Sequence, residues 1–145
     1  MKSGERILCF DFGLKRIGIA TGNTLTKTAQ SLKTIPAKKG VPNWNMVNAL
    51  VSEWKPNYLV VGLPFAMDGS EGKSAMAARK FGEKLTLYTG ISVQFVDERL
   101  TSVAADELLR ESSMGRSITR KRQESRDSLA AELILQTHFE EKQKE

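Results

Sequence analysis

The sequence predicts an α/β fold in which helices cover both faces of a mixed five-stranded sheet. Two observations predict this fold. The first third of the chain reads as three short apolar strands separated by turns, and strand and helix patterns alternate from Pro42 onward. The chain has 145 residues, of which 40% are hydrophobic and 27% charged. This mixture is ordinary for a globular protein, so we expect one domain over residues 1–145.

The first three predicted strands form an antiparallel meander. Strands at 6–12 and 17–21 flank a tight turn that contains Gly13, and a third strand at about 28–35 stops before Pro36. Three consecutive strands joined by short turns pair in antiparallel fashion, so one half of the sheet is expected to be antiparallel.

The next element is a helix that Pro56 ends, because large apolar residues recur there at helical spacing. Its stripe includes Trp44 and Trp54, which we expect in the core and not as platforms for base stacking. The remaining predicted elements are a strand at 58–62, a helix at 74–88, a strand at 91–96 and helices at 102–110 and 125–139.

The charge balance favours an anionic partner. Lys and Arg number 22 against 17 Asp and Glu, which gives a net charge of +5 and a pI near 9.4. The single cysteine, Cys9, lies in an apolar run and is expected to be a buried small hydrophobe. The N-terminal sequence resembles neither a signal peptide nor a membrane span, so a cytoplasmic location without membrane contact is expected.

A basic stretch lies between Gly115 and Arg126. It contains five cations and one acid, Glu124. Charge alone does not distinguish a solvated loop from a phosphate-binding patch.

Asp11 is the first candidate catalytic residue, because it follows four apolar residues in a predicted central strand. A buried carboxylate must pair, become protonated or bind a cation. Alternatively, the strand ends earlier and Asp11 shapes the turn at Gly13. Lys15 and Arg16 just beyond that turn could serve as its counter-ions or contact phosphate.

Two adjacent acids, Asp97 and Glu98, follow the last predicted strand. Acids at the carboxyl end of a strand lie where open α/β sheets bind ligands. Successive strand residues point to opposite faces, so only one of the two is expected to share the face of Asp11. The spacing alone does not decide which one.

Asp127 begins the last apolar stripe. Helical geometry places Ala130, Ala131, Ile134 and Leu135 on the same face, so Asp127 is expected to enter a buried surface. The alternative is a carboxylate that only complements the helix dipole. Three carboxylates from distant segments favour Mg²⁺ or Mn²⁺. His138, the only histidine, lacks partners for a zinc site and is interpreted as structural.

Four ordered motifs span nearly the whole chain: DFGLKRIGIA (11–20), VVGLPFAMDGSEG (60–72), VDERLTS (96–102) and DSLAAELIL (127–135). Through them the sequence closely resembles the YqgF/RuvX family of bacterial ribonuclease H-like proteins. The resemblance implies a ribonuclease H-like fold and assigns the catalytic, metal-binding acids to Asp11, Glu98 and Asp127, so it favours Glu98 over Asp97. Two departures are Ala66, where the family often has Asn, and Ser125, where it often has Lys.

The family resemblance implies a metal-dependent nuclease that trims the 5′ end of the small-subunit ribosomal RNA precursor. A Holliday junction resolvase and a non-catalytic RNA-binding or ribosome-assembly factor are the alternatives. The oligomeric state, monomer or weak dimer, stays open. The cations that we expect to contact nucleic acid are Lys15, Arg16, Arg99, Arg116, Arg120, Lys121, Arg122 and Arg126.

Overall fold

A computed structural model describes residues 4–64, 72–97 and 120–143, and it describes the side chains of the last segment from Ser128 to Glu141. The predicted helix at 102–110 lies outside these residues. The strands are β1 (Arg6–Asp11), β2 (Arg16–Asn23), β3 (Thr28–Lys38), β4 (Val41–Pro42), β5 (Tyr58–Leu63) and β6 (Val93–Asp97). The helices are α1 (Trp44–Trp54), α2 (Lys73–Thr89) and α3 (Arg120–Gln143).

The strands form one mixed sheet in the order β4-β3-β2-β1-β5-β6. The pairs β1–β2, β2–β3 and β3–β4 are antiparallel, and β1–β5 and β5–β6 are parallel. The mixed sheet with helices on both faces is confirmed, but it has six described strands where five were predicted. The additional strand is the two-residue β4.

The third strand is also longer than predicted, because Pro36 does not end it. The amide of Ala37 donates to the carbonyl of Lys15 at 2.8 Å, so the nitrogen of Pro36 faces the other edge of β3. The short strand β4 pairs only with Ala37 and Lys38 and does not reach that position. A proline is tolerated there because no ladder hydrogen bond requires its missing N–H.

One face of the sheet packs against α1 and α2. The buried residues of this contact include Phe10 and Val61 of the sheet and Phe81 of α2, and both tryptophans pack against this cluster, as predicted. The Asn43 side chain caps the amino terminus of α1, and Lys55 in left-handed conformation ends the helix. Stacking of Trp44 on Tyr88, with ring centroids 4.4 Å apart, links α1 to α2.

The opposite face packs against α3, and small residues allow a close approach. Ala20 and Gly22 of β2 share the face of the sheet that carries Cys9. A Cβ atom on Gly22 would lie 2.7 Å from Leu135 and 2.6 Å from the carbonyl oxygen of Thr28. Only glycine therefore fits where α3 crosses β2. Cys9 is fully buried, as expected.

A buried hydrogen bond connects α3 to the start of β5. The Tyr58 hydroxyl lies 2.7 Å from Nε2 of His138, and both residues are at least 95% buried. His138 also contacts the Phe139 ring, with centroids 6.0 Å apart. The histidine fixes the helix against the sheet, which is the structural role predicted for it. None of the helices in the described part of the chain has the length and hydropathy of a membrane span.

Stability is expected to fall at high pH because of Tyr58. Burial raises the pKa of its hydroxyl to about 12 from 10.0, and the negative charge of Glu5 adds to the increase. The folded state therefore holds the phenolic proton more tightly than the unfolded state. The stabilisation is complete below pH 10 and is lost as the pH rises toward 12.

Denaturant unfolding of the wild type and Tyr58→Phe at several pH values between 8 and about 12 measures this effect. The wild type should lose up to about 3 kcal/mol relative to the variant over this interval. Parallel pH curves for the two proteins would contradict the assignment.

Candidate active site

The three parallel strands β1, β5 and β6 end at the same edge of the sheet, and Asp11 is the last residue of β1. It pairs with Gly18 of β2, so the strand includes it and the alternative of an earlier strand end is wrong. Four fully buried residues precede Asp11, which is itself half-buried. It lines a cavity of about 340 Å³ together with residues 12–16.

Strand alternation separates Asp11 from Asp97. Asp11 has the same parity as Cys9, which packs on the α3 face, and Val96 of β6 belongs to that face as well. Asp97 follows Val96 and has the parity of Phe95, which packs on the α1 and α2 face. Asp97 is therefore on the face opposite to Asp11. Glu98 lies outside the described residues.

The amino end of the last helix lies toward the edge of the sheet that carries Asp11. Near its carboxyl end, Phe139 lies against Gly22, which pairs with Ile7 at the start of β1. Nearer its amino end, the Ser31 hydroxyl donates to the Ser128 carbonyl at 3.2 Å. Ser31 pairs with Ala20, which is level with Cys9 and hence closer to Asp11.

Asp127 belongs to the helical part of α3, one residue before Ser128. Its side chain lies outside the described residues. Ala131, Ile134 and Leu135, at four, seven and eight positions beyond it, are buried against the sheet, as the spacing predicts. The same Ser31 hydroxyl lies 2.9 Å from Oε2 of Glu132, so its one proton is shared between two acceptors of this part of the helix.

A second cavity, of about 410 Å³, adjoins the first and shares Phe12, Gly13 and Leu14 with it. Its other lining residues come from the end of β5 and the first turns of α2, where Lys73 and Ser74 are exposed. Its volume falls in the range of about 300–1,000 Å³ that is typical of ligand pockets. The carboxyl edge of the parallel strands is therefore concave on both sides of the β1–β2 turn.

The structure describes only some of the cations that are predicted to contact nucleic acid. Lys15 is exposed beside the Asp11 cavity, and Arg16 begins β2. Arg99 and Arg116 lie outside the described residues. The other four belong to α3, and their side chains lie outside the described residues: Arg120, Lys121, Arg122 and Arg126.

Two lysines that the sequence analysis missed join this edge. Lys38 ends β3, Lys39 follows in the turn to β4, and both are exposed. The Ala37–Lys15 hydrogen bond holds the β3–β4 hairpin against the β1–β2 turn. The signal in the sequence was the basic dipeptide before Gly40, but only the pairing of β3 with β2 shows where it lies.

Within the described ranges, no group of three potential metal ligands is present. Of the three predicted acids, only the Asp11 side chain belongs to those ranges. Its carboxylate oxygens are the hard ligands that Mg²⁺ and Mn²⁺ prefer.

Known proteins resemble this chain over most of its length. The sequence profile of the RuvX family, described as Holliday junction resolvase, matches residues 5–141. The chain belongs to the RuvX family. RuvX relatives from Aeromonas hydrophila and Saccharophagus degradans are 45% and 43% identical over 139 and 135 residues. These alignments cover 96% and 93% of this chain and 97% and 93% of the relatives, and both relatives are named "Putative pre-16S rRNA nuclease".

The fold of this RuvX chain is also found in solved structures. Thermus thermophilus RuvC in complex with a Holliday junction substrate superposes with a TM-score of 0.54 at 14% identity, over 96% of both chains. A second structure of Thermus thermophilus RuvC gives the same TM-score at 13% identity. The fold is therefore ribonuclease H-like, as predicted. Family membership makes the chain a hydrolase that acts on ester bonds.

Proposed function

We propose that this protein is a metal-dependent nuclease that processes the 5′ end of the 16S ribosomal RNA precursor. The observation that carries the proposal is the position of Asp11, a half-buried carboxylate that ends a fully buried strand and lines a cavity. The names of the RuvX relatives support the choice of RNA substrate. Such a substrate implies a cytoplasmic protein, and we propose that residues 1–145 act as one domain.

We propose Asp11, Glu98 and Asp127 as the residues that hold Mg²⁺ or Mn²⁺. The position of Asp97 on the opposite face supports Glu98 as the partner of Asp11, because the two neighbouring acids cannot both serve one face. The position of the amino end of α3, which carries Asp127, on the side of the sheet nearer Asp11 supports Asp127. When bound, divalent ions supply an activated water and neutralise charge on the leaving oxygen.

The protein's own side chains would orient the substrate around these acids. We propose that Lys15 and Arg16 bind phosphates next to the Asp11 cavity. Further cations would extend this contact along the nucleic-acid strand: Arg99, Arg116, Arg120, Lys121, Arg122 and Arg126. The family often has a lysine at the position of Ser125. In this chain Arg122 or Arg126 would position the scissile phosphate instead.

The second candidate function is resolution of a Holliday junction, which the description of the RuvX family favours. A resolvase must cut two strands symmetrically and so requires a two-fold dimer. Cleavage of RNA, which is recognised by shape, 2′-hydroxyls and single-stranded ends, does not require such a dimer. The third candidate, an RNA-binding factor without activity, would need no metal.

A direct comparison of substrates tests the proposal. We expect the protein to process a 5′-extended 16S precursor faster than a four-way DNA junction at equal salt and equal Mg²⁺ or Mn²⁺. Chelation of the metal should stop cleavage, and Asp127→Asn serves as the control for contaminating nucleases. Paired, symmetric junction cuts by a stable dimer, with no RNA processing, would establish the resolvase function instead. Binding without any metal-dependent cleavage would establish the third candidate.

A further inference from the structure

The β3–β4 hairpin lies against the β1–β2 turn, whose residues line the Asp11 cavity. Two backbone hydrogen bonds join them, from Ala37 to Lys15 at 2.8 Å and from Gly40 to Leu14 at 2.9 Å. We call this surface the lysine ridge and define it by the exposed side chains of Lys15, Lys38 and Lys39.

The hairpin turn is tight and fixed. Lys38 pairs with Val41, so Lys39 and Gly40 are the only turn residues, with φ of 53° and 82°. Positive φ at both positions is typical of the type I′ turn that matches the twist of a hairpin. A Cβ on Gly40 would lie 2.8 Å from the ring of Phe12, so the turn packs directly on the residue that follows Asp11.

The charge of the ridge is one-sided. Residues 11–16 and 36–42 contain four cations, and their only acid is Asp11. Leu14 precedes Lys15, Val41 pairs with Lys38, and these two apolar residues are 61% and 47% exposed, so apolar side chains accompany the lysines. A polyanion that also presents apolar faces, such as a nucleic-acid strand with its sugars and bases, complements this combination.

We propose that the lysine ridge binds the backbone phosphates of the nucleic-acid segment that leaves the Asp11 cavity. Lys38 and Lys39 would each contact one phosphate, and Leu14 would pack against the sugar or base between the cavity and the hairpin. This proposal rests on the proposed nuclease function and gives that site a second contact, separate from the basic stretch before Asp127. Because the contacts are to phosphates, they bind all sequences alike.

The test uses a matched pair of charge reversals in the full-length protein. Lys38→Glu/Lys39→Glu changes the ridge, and Lys27→Glu/Lys55→Glu changes net charge equally at the opposite edge of the sheet. The match is close, because Lys27 and Lys55 are also exposed and have φ of 54° and 47°, like Lys39. Lys38→Gln/Lys39→Asn removes the charge with a residue that tolerates positive φ and guards against a folding defect.

Affinity for a 5′-labelled single-stranded RNA is measured with EDTA at several salt concentrations, so that nothing is cleaved. Two lost phosphate contacts should reduce the slope of log affinity against log salt by about 1.4. The Gln/Asn variant should show the same reduction, and the Lys27/Lys55 variant should keep the wild-type slope. Equal slopes for the ridge and control variants would overturn the proposal.

Two further outcomes separate this proposal from the proposed function. In the first, the wild type binds RNA without cleaving it while the ridge variants show the reduced slope of log affinity against log salt. That result supports the lysine ridge and contradicts the nuclease function. If cleavage is normal and ridge and control variants behave alike, the ridge alone fails. Binding of vesicles containing phosphatidylserine, lost in the ridge variants while RNA binding is unchanged, would assign the surface to a membrane and overturn the proposal.

Discussion

Asp11→Asn is expected to abolish metal-dependent cleavage, with a loss of at least about a thousandfold, while the protein stays folded. Asparagine has nearly the same volume but offers one neutral oxygen where the carboxylate offers two oxygens that share a negative charge, so divalent ions are held poorly. The strand should tolerate the change, because Asp11 is its last residue and is only half-buried.

The neighbouring edge of the sheet supplies a matched control. Asp97→Asn removes one negative charge at the end of β6, on the opposite face, and should leave most of the activity in place. Thermal unfolding in EDTA adds a second measurement: if the proposed acids cluster, relief of their mutual repulsion should leave Asp11→Asn at least as stable as the wild type. Full activity of folded Asp11→Asn protein would refute the catalytic assignment, and equal losses in both variants would show that charge alone matters.

Gly22→Val is expected to destabilise the folded protein. Its side chain would enter the contact between β2 and α3, where a Cβ already lies 2.6 Å from the Thr28 carbonyl oxygen and 2.7 Å from Leu135. Neither the backbone nor the packed helix can move without opening the core, so overpacking should cost about 1–3 kcal/mol. Activity should fall as well, because the displaced helix carries Asp127.

Chemical unfolding and cleavage rates measure these two effects together. Gly72→Ser is the control, since a Cβ at that glycine meets no described atom within 4 Å and serine is a preferred residue at the N-cap of α2, which Gly72 occupies. It should be at least as stable as the wild type. If Gly22→Val is as stable as Gly72→Ser, the close packing between β2 and α3 is not what holds the helix.

The sequence predicted the sheet and its helices because their signals are local. The continuous apolar run within residues 6–12 and the helical stripe of Trp44 and Trp54 are both local patterns, and the structure retains them as a buried strand and a helix packed on the core. Strand β4 was missed because two residues carry no periodicity, and its pairing depends on the tertiary position of the hairpin. Pro36 was taken as a strand end because the sequence does not reveal which edge of β3 lacks a partner.

The candidate site was predictable to the same extent. Asp11 stood out because an acid after four apolar residues is costly unless it has a function. The separation of Asp97 from Asp11 needed the register of β5 and β6, since alternation alone does not say which residue of a strand faces which layer. Lys38 and Lys39 were missed because they lie more than twenty positions from Asp11, and only strand pairing brings them to the same edge.

The hydrogen bond between Ser31 and Glu132 joins residues 101 positions apart. During translation, the strand with Asp11 therefore leaves the ribosome long before the helix that completes its layer. Until that helix docks, no other described helix covers the surface around Cys9 and Ala20, and the proposed set of acids is incomplete. A nascent chain without α3 would then be unable to cut the RNA of the ribosome that is making it. The order of residues along the chain would therefore delay cleavage until α3 has been synthesised.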